Sequence, residues 1–392
     1  MKENNSMKKN ILFINGHLNC GGVERSLVDI LKNFDYTCYN VDLLLLEEYG
    51  DYLSEIPEEV NIKLIDLHNT YGSIKESLLK CIKKKDFRSF ILRLIFLLTK
   101  FFGIKNIKLA KKIFTNNKNY DMAIGFRPGI SMNIAAFAVN CDKSIGWWHH
   151  GEYNLTENET LDFITDIKNM NKLICVSDGC KTMLTEKFPE LADKFCVIPN
   201  MVDIDKVQEK SLTADNINFT SEKLNIVTVG RLAPEKHIEN AVYAAKNLVD
   251  SGYADFKWHI VGDGEKMELL INLIKDLHLA DYVTLHGNQP NPYIYMKQAD
   301  FLVHTSYVES QGLVVLEAMA IGIPCVITRS IGTEEFAVNE ENCILSEQNP
   351  DSLISSVKEM IEYPEKESMI NCAFETVSRY SPENIMKLIY KL

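Results

Sequence analysis

Short apolar runs recur along this chain, each bounded by polar residues and each followed by a stretch with helical spacing. In the first half they cover Asn10–Asn15, Val41–Leu46, Val60–Ile65, Met122–Phe126, Ser144–Trp148, Lys172–Val176 and Phe195–Ile198. In the second half they cover Ile226–Val229, Trp258–Val261, Tyr282–His286, Phe301–His304 and Cys325–Thr328. A run that is apolar on every residue suits a strand buried on both faces of a parallel sheet. Such strands alternating with helices predict doubly wound α/β folds, and two series in 392 residues predict two of them. The first Rossmann-like domain is expected over 1–203 and the second over 204–378. A closing helix, 379–392, is expected to pack back on the first domain. The polar stretch Gln208–Glu222 reads as a linker.

Charge narrows the function. A net charge of −12 argues against a general nucleic-acid binder. The distribution is uneven, however. Between Lys75 and Lys118 there are thirteen Lys and Arg against Glu76 and Asp86, so this segment carries +11 and the remainder −23. We expect a basic helical insertion at 73–118, with helices near Ile74–Lys85, Phe87–Phe102 and Ile107–Phe114. Apolar residues mixed with lysines and almost no acids suit contact with an anionic membrane surface. A solvated basic face is the plainer alternative. No run is long enough to cross a bilayer. The ten cysteines show no Cys-x-x-Cys spacing, which suits reduced thiols in a cytoplasm. Met1 to Asn10 is polar, and no signal peptide is expected.

Candidate chemistry gathers at predicted strand ends, where open α/β sheets bind ligands. The richest stretch runs from Glu309 to Pro324, a nearly all-apolar helix entered through Gly312 and stopped at Gly322 and Pro324. Glu317 is its only charge. Either a cation pairs with it, or it faces a cleft and holds a polar ligand. Glu309 precedes the helix, where unpaired backbone N–H groups suit an anion or sugar hydroxyls. Arg231 and Lys236 share the loop after a strand, a pattern suited to a diphosphate. Gly21-Gly22, Gly262-Asp263-Gly264 and His286-Gly287-Asn288 supply turns, and His149 and His150 follow a buried strand. Asp203-Ile204-Asp205 imitates a metal motif but reads as a linker or helix cap. No other stretch has metal-ligand spacing, so no metal and no cofactor is expected.

Taken in order, five segments carry a resemblance. They are Gly21 to Leu27, Val197 to Asp203, Gly230 to Lys236, Val261 to Gly264, and Glu309 to Pro324. The chain resembles the retaining glycosyltransferases of family 4, which have the two-domain GT-B fold. The resemblance implies a nucleotide-sugar donor on the C-terminal domain, with Arg231 and Lys236 holding its diphosphate in place of a metal. Glu317 would bond the ribose and Glu309 the donor sugar. Gln311, Gly312 and Leu313 would assist through their backbone, and Gly262 and Gly287 would line the donor site. Gly21 and Gly22 would approach the donor phosphate from the other lobe. His149 falls where the family places its active-site histidine, and the neighbouring His150 leaves that assignment open by one residue. His237 replaces a small residue often found after the lysine.

The implied reaction moves a hexose or N-acetylhexosamine, from a UDP-sugar, to a polysaccharide or lipid-linked oligosaccharide. The implied setting is cytoplasmic, at the inner face of the plasma membrane. Two other readings compete. A nucleotide-sugar epimerase of the same plan should lack the Glu309 and Glu317 pair, and a non-catalytic membrane-docking protein should lack the cations or carboxylates.

Overall fold

The computed structural model describes residues 8–19, 21–47, 50–65, 74–213, 217, 219, 220 and 222–392. Two compact units emerge: Met1–Val176 with Cys180–Ile198, and Ser177–Gly179 with Pro199–Leu392. The closing helix, Pro382–Ile389, is counted in the second unit.

The first unit is built on β1 (Lys9–Asn15), β2 (Tyr39–Leu45), β3 (Asn61–Leu64), β4 (Asn119–Gly125), β5 (Asn140–Trp148), β6 (Lys172–Cys175) and β7 (Phe195–Val197). The strands pair in parallel in the order β3-β2-β1-β4-β5-β6-β7. Ile11 to Ile14 of β1 are all buried, as a central strand covered on both faces requires. The order reverses between β1 and β4, so the loops leaving these two strands diverge and open a crevice at their carboxyl ends.

The second unit repeats the plan with β8 (Leu224–Val229), β9 (Phe256–Val261), β10 (Val283–Leu285), β11 (Phe301–His304), β12 (Cys325–Thr328) and β13 (Ile344–Ser346). Their order is β10-β9-β8-β11-β12-β13, again parallel. Two apolar clusters fill this unit. Phe301 and Val303 belong to one and Leu302 to the other, which places the clusters on opposite faces of the sheet. Val315, Leu316, Met319 and Ile321 of the helix Leu313–Ile321 join the second of these clusters. Here the reversal lies between β8 and β11, so the loops after these two strands frame the crevice.

Several expectations need correction. The polar stretch Gln208–Glu222 is not simply a linker, because the helix Ile204–Ser211 occupies its start. Val207 is buried and Gln208 Nε2 donates to the Ala320 carbonyl at 2.9 Å, which ties that helix to the second unit's core. Positions 214–216, 218 and 221 of the stretch lie outside the described residues. The edge strand β13 was not expected at all. In the basic segment, Ile74–Lys83 and Phe87–Phe102 are helices, while residue 73 lies outside the described residues. The helix expected over 107–114 is instead a 3-10 turn, Ile104–Ala110, followed by the one-turn helix Lys111–Thr115. Asn106 Nδ2 binds the Phe102 and Gly103 carbonyls at 3.1 and 2.9 Å, and this local bonding competes with a regular helix start.

Asp203 acts as a helix cap, one of the two roles expected of it. Its carboxylate accepts from the Lys206 N–H at 3.1 Å. Asp203→Ala should lower stability by about 1 kcal/mol in urea unfolding. An unchanged midpoint would mean that the cap contributes nothing. No described helix is long and apolar enough to cross a membrane. The nine described cysteines are free thiols.

Candidate active site

The crevice loops of the second unit are laced together before any ligand is considered. After β8, the Gly230 N–H donates to the Val261 carbonyl at 3.0 Å and the Leu232 N–H to the Asp263 carbonyl at 2.9 Å. Gly262 must be glycine for this to happen. Its φ is +145°, and an added Cβ would stand 1.9 Å from the Gly230 carbonyl oxygen. The Gly262 N–H in turn donates to the Gly287 carbonyl at 2.8 Å, so the loops after β8, β9 and β10 form one backbone sheaf.

On the other side of the crevice, Thr305 Oγ1 donates to the Lys236 carbonyl at 2.7 Å and Ser306 Oγ to the Glu235 carbonyl at 3.2 Å. These bonds present Lys236, on the turn Pro234–Lys236, to the loop after β11. Lys236 Nζ lies 2.5 Å from Glu309 Oε1, and His304 Nε2 lies 3.0 Å from the same oxygen. The Glu309 side chain is 14% exposed. Burial pushes its carboxyl up, but the Lys236 charge and the His304 hydrogen bond outweigh burial and bring it to about 2. Glu309 is therefore ionised throughout the neutral range. Its other oxygen, Oε2, has no hydrogen-bond partner among the described residues.

Three residues beyond Glu309 the chain enters its helix. Gly312 takes the left-handed conformation at the cap (φ +74°), and an added Cβ would come within 2.9 Å of Thr333. The Val315 and Leu316 N–H groups donate to the Gly312 carbonyl at 3.0 and 3.3 Å, which leaves the N–H groups of Leu313 and Val314 open at the helix start. Gln311 is tied elsewhere: its side chain exchanges two hydrogen bonds with the Asn200 backbone, at 2.7 and 3.0 Å. Glu317, half-buried, accepts from the Tyr293 hydroxyl at 2.7 Å. Lys236 and Glu309 thus come together, whereas Arg231 does not join them. Its side chain is 70% exposed and pairs with Glu235 at 2.6 Å. His237 sits in a left-handed turn with its ring stacked on Tyr307 at 3.9 Å.

Beside Gly287 stands a pair of histidines. His259 Nδ1 lies 3.0 Å from His286 Nε2, His259 Nε2 lies 3.3 Å from Asn225 Oδ1, and Phe219 stacks on the His259 ring at 3.6 Å. Burial, with the nearby His286 and Lys257, pulls His259 down to about 4.

In the first unit, Gly21 caps the helix Gly22–Lys32 with an extended backbone. Glu24 in its first turn is almost fully buried and accepts from Arg127 Nη1 at 2.8 Å, with His17 Nδ1 at 3.8 Å. Arg127 leaves the end of β4, so this pair sits at the β1/β4 reversal. His149 is buried, with its ring stacked on Trp147 and tilted against Phe126. Burial, helped by His150 and Arg127, holds it well below the usual histidine range, against the pull of the Phe126 carbonyl. With the Phe126 carbonyl bonded to the ring, Nε2 is buried and has no hydrogen-bond partner among the described residues. At His150 it is the backbone that is engaged, its carbonyl accepting from Trp148 Nε1 at 2.7 Å.

Residues 210–374 match the family model described as Glycosyl transferases group 1. Over these residues the chain is similar to the group 1 glycosyltransferases. An uncharacterized glycosyltransferase of Haemophilus influenzae is 26% identical, with 92% of each chain covered. The N-acetylgalactosamine-N,N'-diacetylbacillosaminyl-diphospho-undecaprenol 4-alpha-N-acetylgalactosaminyltransferase of Campylobacter jejuni is 26% identical over 88% of each chain. Among solved structures, Anabaena HepE in complex with UDP superposes with a TM-score of 0.70 at 18% identity, over 97% of this chain and 98% of that one. The fold is the GT-B class that the family resemblance implied, and the protein is a glycosyltransferase.

In the second unit, sequence reasoning missed His304 and Tyr293, the partners of the two glutamates, and in the first unit it missed Arg127. His304 was visible as a histidine ending an otherwise apolar strand, and Arg127 as a lone charge between a strand and a helix.

Proposed function

We propose that this glycosyltransferase is retaining and metal-independent, and that it moves a hexose or N-acetylhexosamine from a UDP-sugar to a lipid-linked or polysaccharide acceptor. The observation that carries the reading is the Lys236–Glu309–His304 cluster at the β8/β11 reversal. It is a fixed lysine and a fixed carboxylate, the carboxylate ionised at neutral pH, beside a helix start with open N–H groups. Lys236 and those N–H groups suit the diphosphate, and Arg231, exposed on the same loop, can swing to it. Glu309 Oε2 suits a hydroxyl of the donor sugar. Glu317, held by Tyr293, suits the ribose.

In this reading the bond from the anomeric carbon to the diphosphate oxygen breaks as negative charge gathers on the diphosphate. Lys236 stabilises that charge. The acceptor hydroxyl attacks from the same side, its proton passes to the departing diphosphate oxygen, and the configuration is retained. No protein carboxylate is needed as a nucleophile, so the residues act by positioning and electrostatics. His149 Nε2, without a partner among the described residues, suits a hydrogen bond from a sugar hydroxyl. A lipid-linked acceptor is supported by the printed activity of the C. jejuni relative, whose acceptor is a diphospho-undecaprenol glycan. The UDP donor is supported by the UDP bound to HepE.

Nucleotide release from a panel of UDP-, GDP- and ADP-sugars, with and without membrane extract, tests the proposal. UDP release that rises with the extract is the expected result. Release from a GDP- or ADP-sugar alone would overturn the donor assignment, and a product of inverted configuration would overturn the mechanism.

A further inference from the structure

The helix Phe87–Phe102 has two apolar faces, although a helix on a protein surface needs only one. Leu92 and Ile95 are buried, and the helix packs on the helix Ile74–Lys83 and the turn Ile104–Ala110. On its outward side, Phe87, Ile91, Leu94, Leu98, Phe101 and Phe102 all lie open to solvent. Their spacing of four, three, four, three and one residues keeps them on one face of a 3.6-residue helix, a strip about 22 Å long. The exposure is extreme at the strip's ends: Phe87 is 70%, Phe101 72% and Phe102 76% exposed. Leu79, Ile82 and Leu109 on the neighbouring elements are exposed as well. A large contiguous apolar surface of this kind marks an interaction site.

Charge selects the occupant. The strip lies within the +11 segment, where Lys80, Lys83, Lys84, Lys85, Lys105 and Lys108 are exposed. A second copy would bring +11 against +11. A bilayer with anionic headgroups instead offers hydrocarbon to the strip and negative charge to the lysines. The −23 on the rest of the chain is screened beyond about 8 Å at physiological salt, so the island acts locally. We infer that the outward strip of the helix Phe87–Phe102 is a membrane-inserting surface, lying in the plane of an anionic bilayer with its phenylalanines among the acyl chains. The sequence suggests contact through charge, and the exposed strip adds insertion. The use of this surface rests on the lipid-linked acceptor proposed above, but its test does not.

The full-length protein is sedimented with phosphatidylcholine vesicles, with and without 30% phosphatidylglycerol. Binding should appear with the anionic vesicles. The triple variant F87S/F101S/F102S should lose at least about tenfold in affinity. The triple variant K83Q/K84Q/K85Q should lose about a hundredfold at moderate salt, with a shallower salt dependence. The three native tryptophans are all buried, so a tryptophan introduced by F102W should alone be quenched by brominated lipid. Wild-type protein left in the supernatant would overturn the inference, as would phenylalanine variants that bind like wild type. Vesicle-independent dimerisation that the phenylalanine variants abolish would assign the strip to a second copy instead. UDP binding measured alongside separates the claims: its loss with vesicle binding intact strikes the proposed reaction and leaves this surface standing.

Discussion

Replacing Glu309 by Gln should lower kcat/KM for nucleotide release by about 100- to 1,000-fold, the usual cost of one preorganised electrostatic group. The argument starts from Oε1. That oxygen already serves Lys236 at 2.5 Å and His304 at 3.0 Å, so the carboxylate is fixed before substrate arrives. A glutamine offers a neutral amide in place of the charge, and the field that holds Lys236 in place is lost. Lys236→Ala should cost a similar factor through the diphosphate, and it adds a second readout. The lysine's charge is the main influence that brings Glu309 down to about 2 against burial. Without it the carboxyl rises, and the acidic limb of the residual pH profile should move to higher pH. Near-UV circular dichroism of the buried Trp258 reports whether the second unit is intact in each variant. Normal turnover in both variants would remove the cluster from the reaction.

The sequence made the strands and the candidate side chains legible, but not the pairings between them. Phe301-Leu302-Val303 is apolar on every residue, which only a strand buried on both faces tolerates, and it is found where expected. The helix Leu313–Ile321 was readable because glycines stand at both of its ends. The three-residue β13 was not, since an edge strand so short leaves no period to read. The helix Ile204–Ser211 was hidden by its polar composition, with Val207 and Ser211 buried and Ile204 packed partly against the core. Glu309 and Lys236 each stood out as charges at strand ends, but they are 73 residues apart. Only the β8-to-β11 adjacency of the sheet brings them together, and no local pattern announces that adjacency. The same holds for Glu24 and Arg127, 103 residues apart and joined across the β1/β4 reversal.

Acidification from pH 7 to pH 5 should weaken the second unit more than the first. His259 is almost fully buried, bonded to His286 and Asn225 beneath the Phe219 ring, and burial takes it from the usual 6.5 to about 4. A histidine held below its unfolded value binds its proton more readily in the unfolded chain, so its stabilising contribution is complete above pH 6.5 and is lost as pH falls toward 4. At about 1.4 kcal/mol per unit, the full loss is on the order of 3 kcal/mol. Glu309 extends the decline, since a carboxylate held near 2 loses its contribution as pH drops below the ordinary glutamate value of 4.5. In the first unit the buried Asp166 behaves in the opposite sense. Burial raises it to about 8 despite the Asn133 amide 2.6 Å away, so it favours the protonated, folded state and gains as pH falls from 8 toward 3.8. Trp258 reports the second unit and Trp147 and Trp148 the first, so urea titrations on W258F and W147F/W148F proteins can follow each unit alone. The second unit's midpoint should fall between pH 7 and pH 5 and His259→Asn should flatten that fall, whereas in the first unit the gain at Asp166 is offset by the buried His149, held below the usual histidine range, so that midpoint should move less. Midpoints that moved together in both units would contradict the assignment of these buried groups.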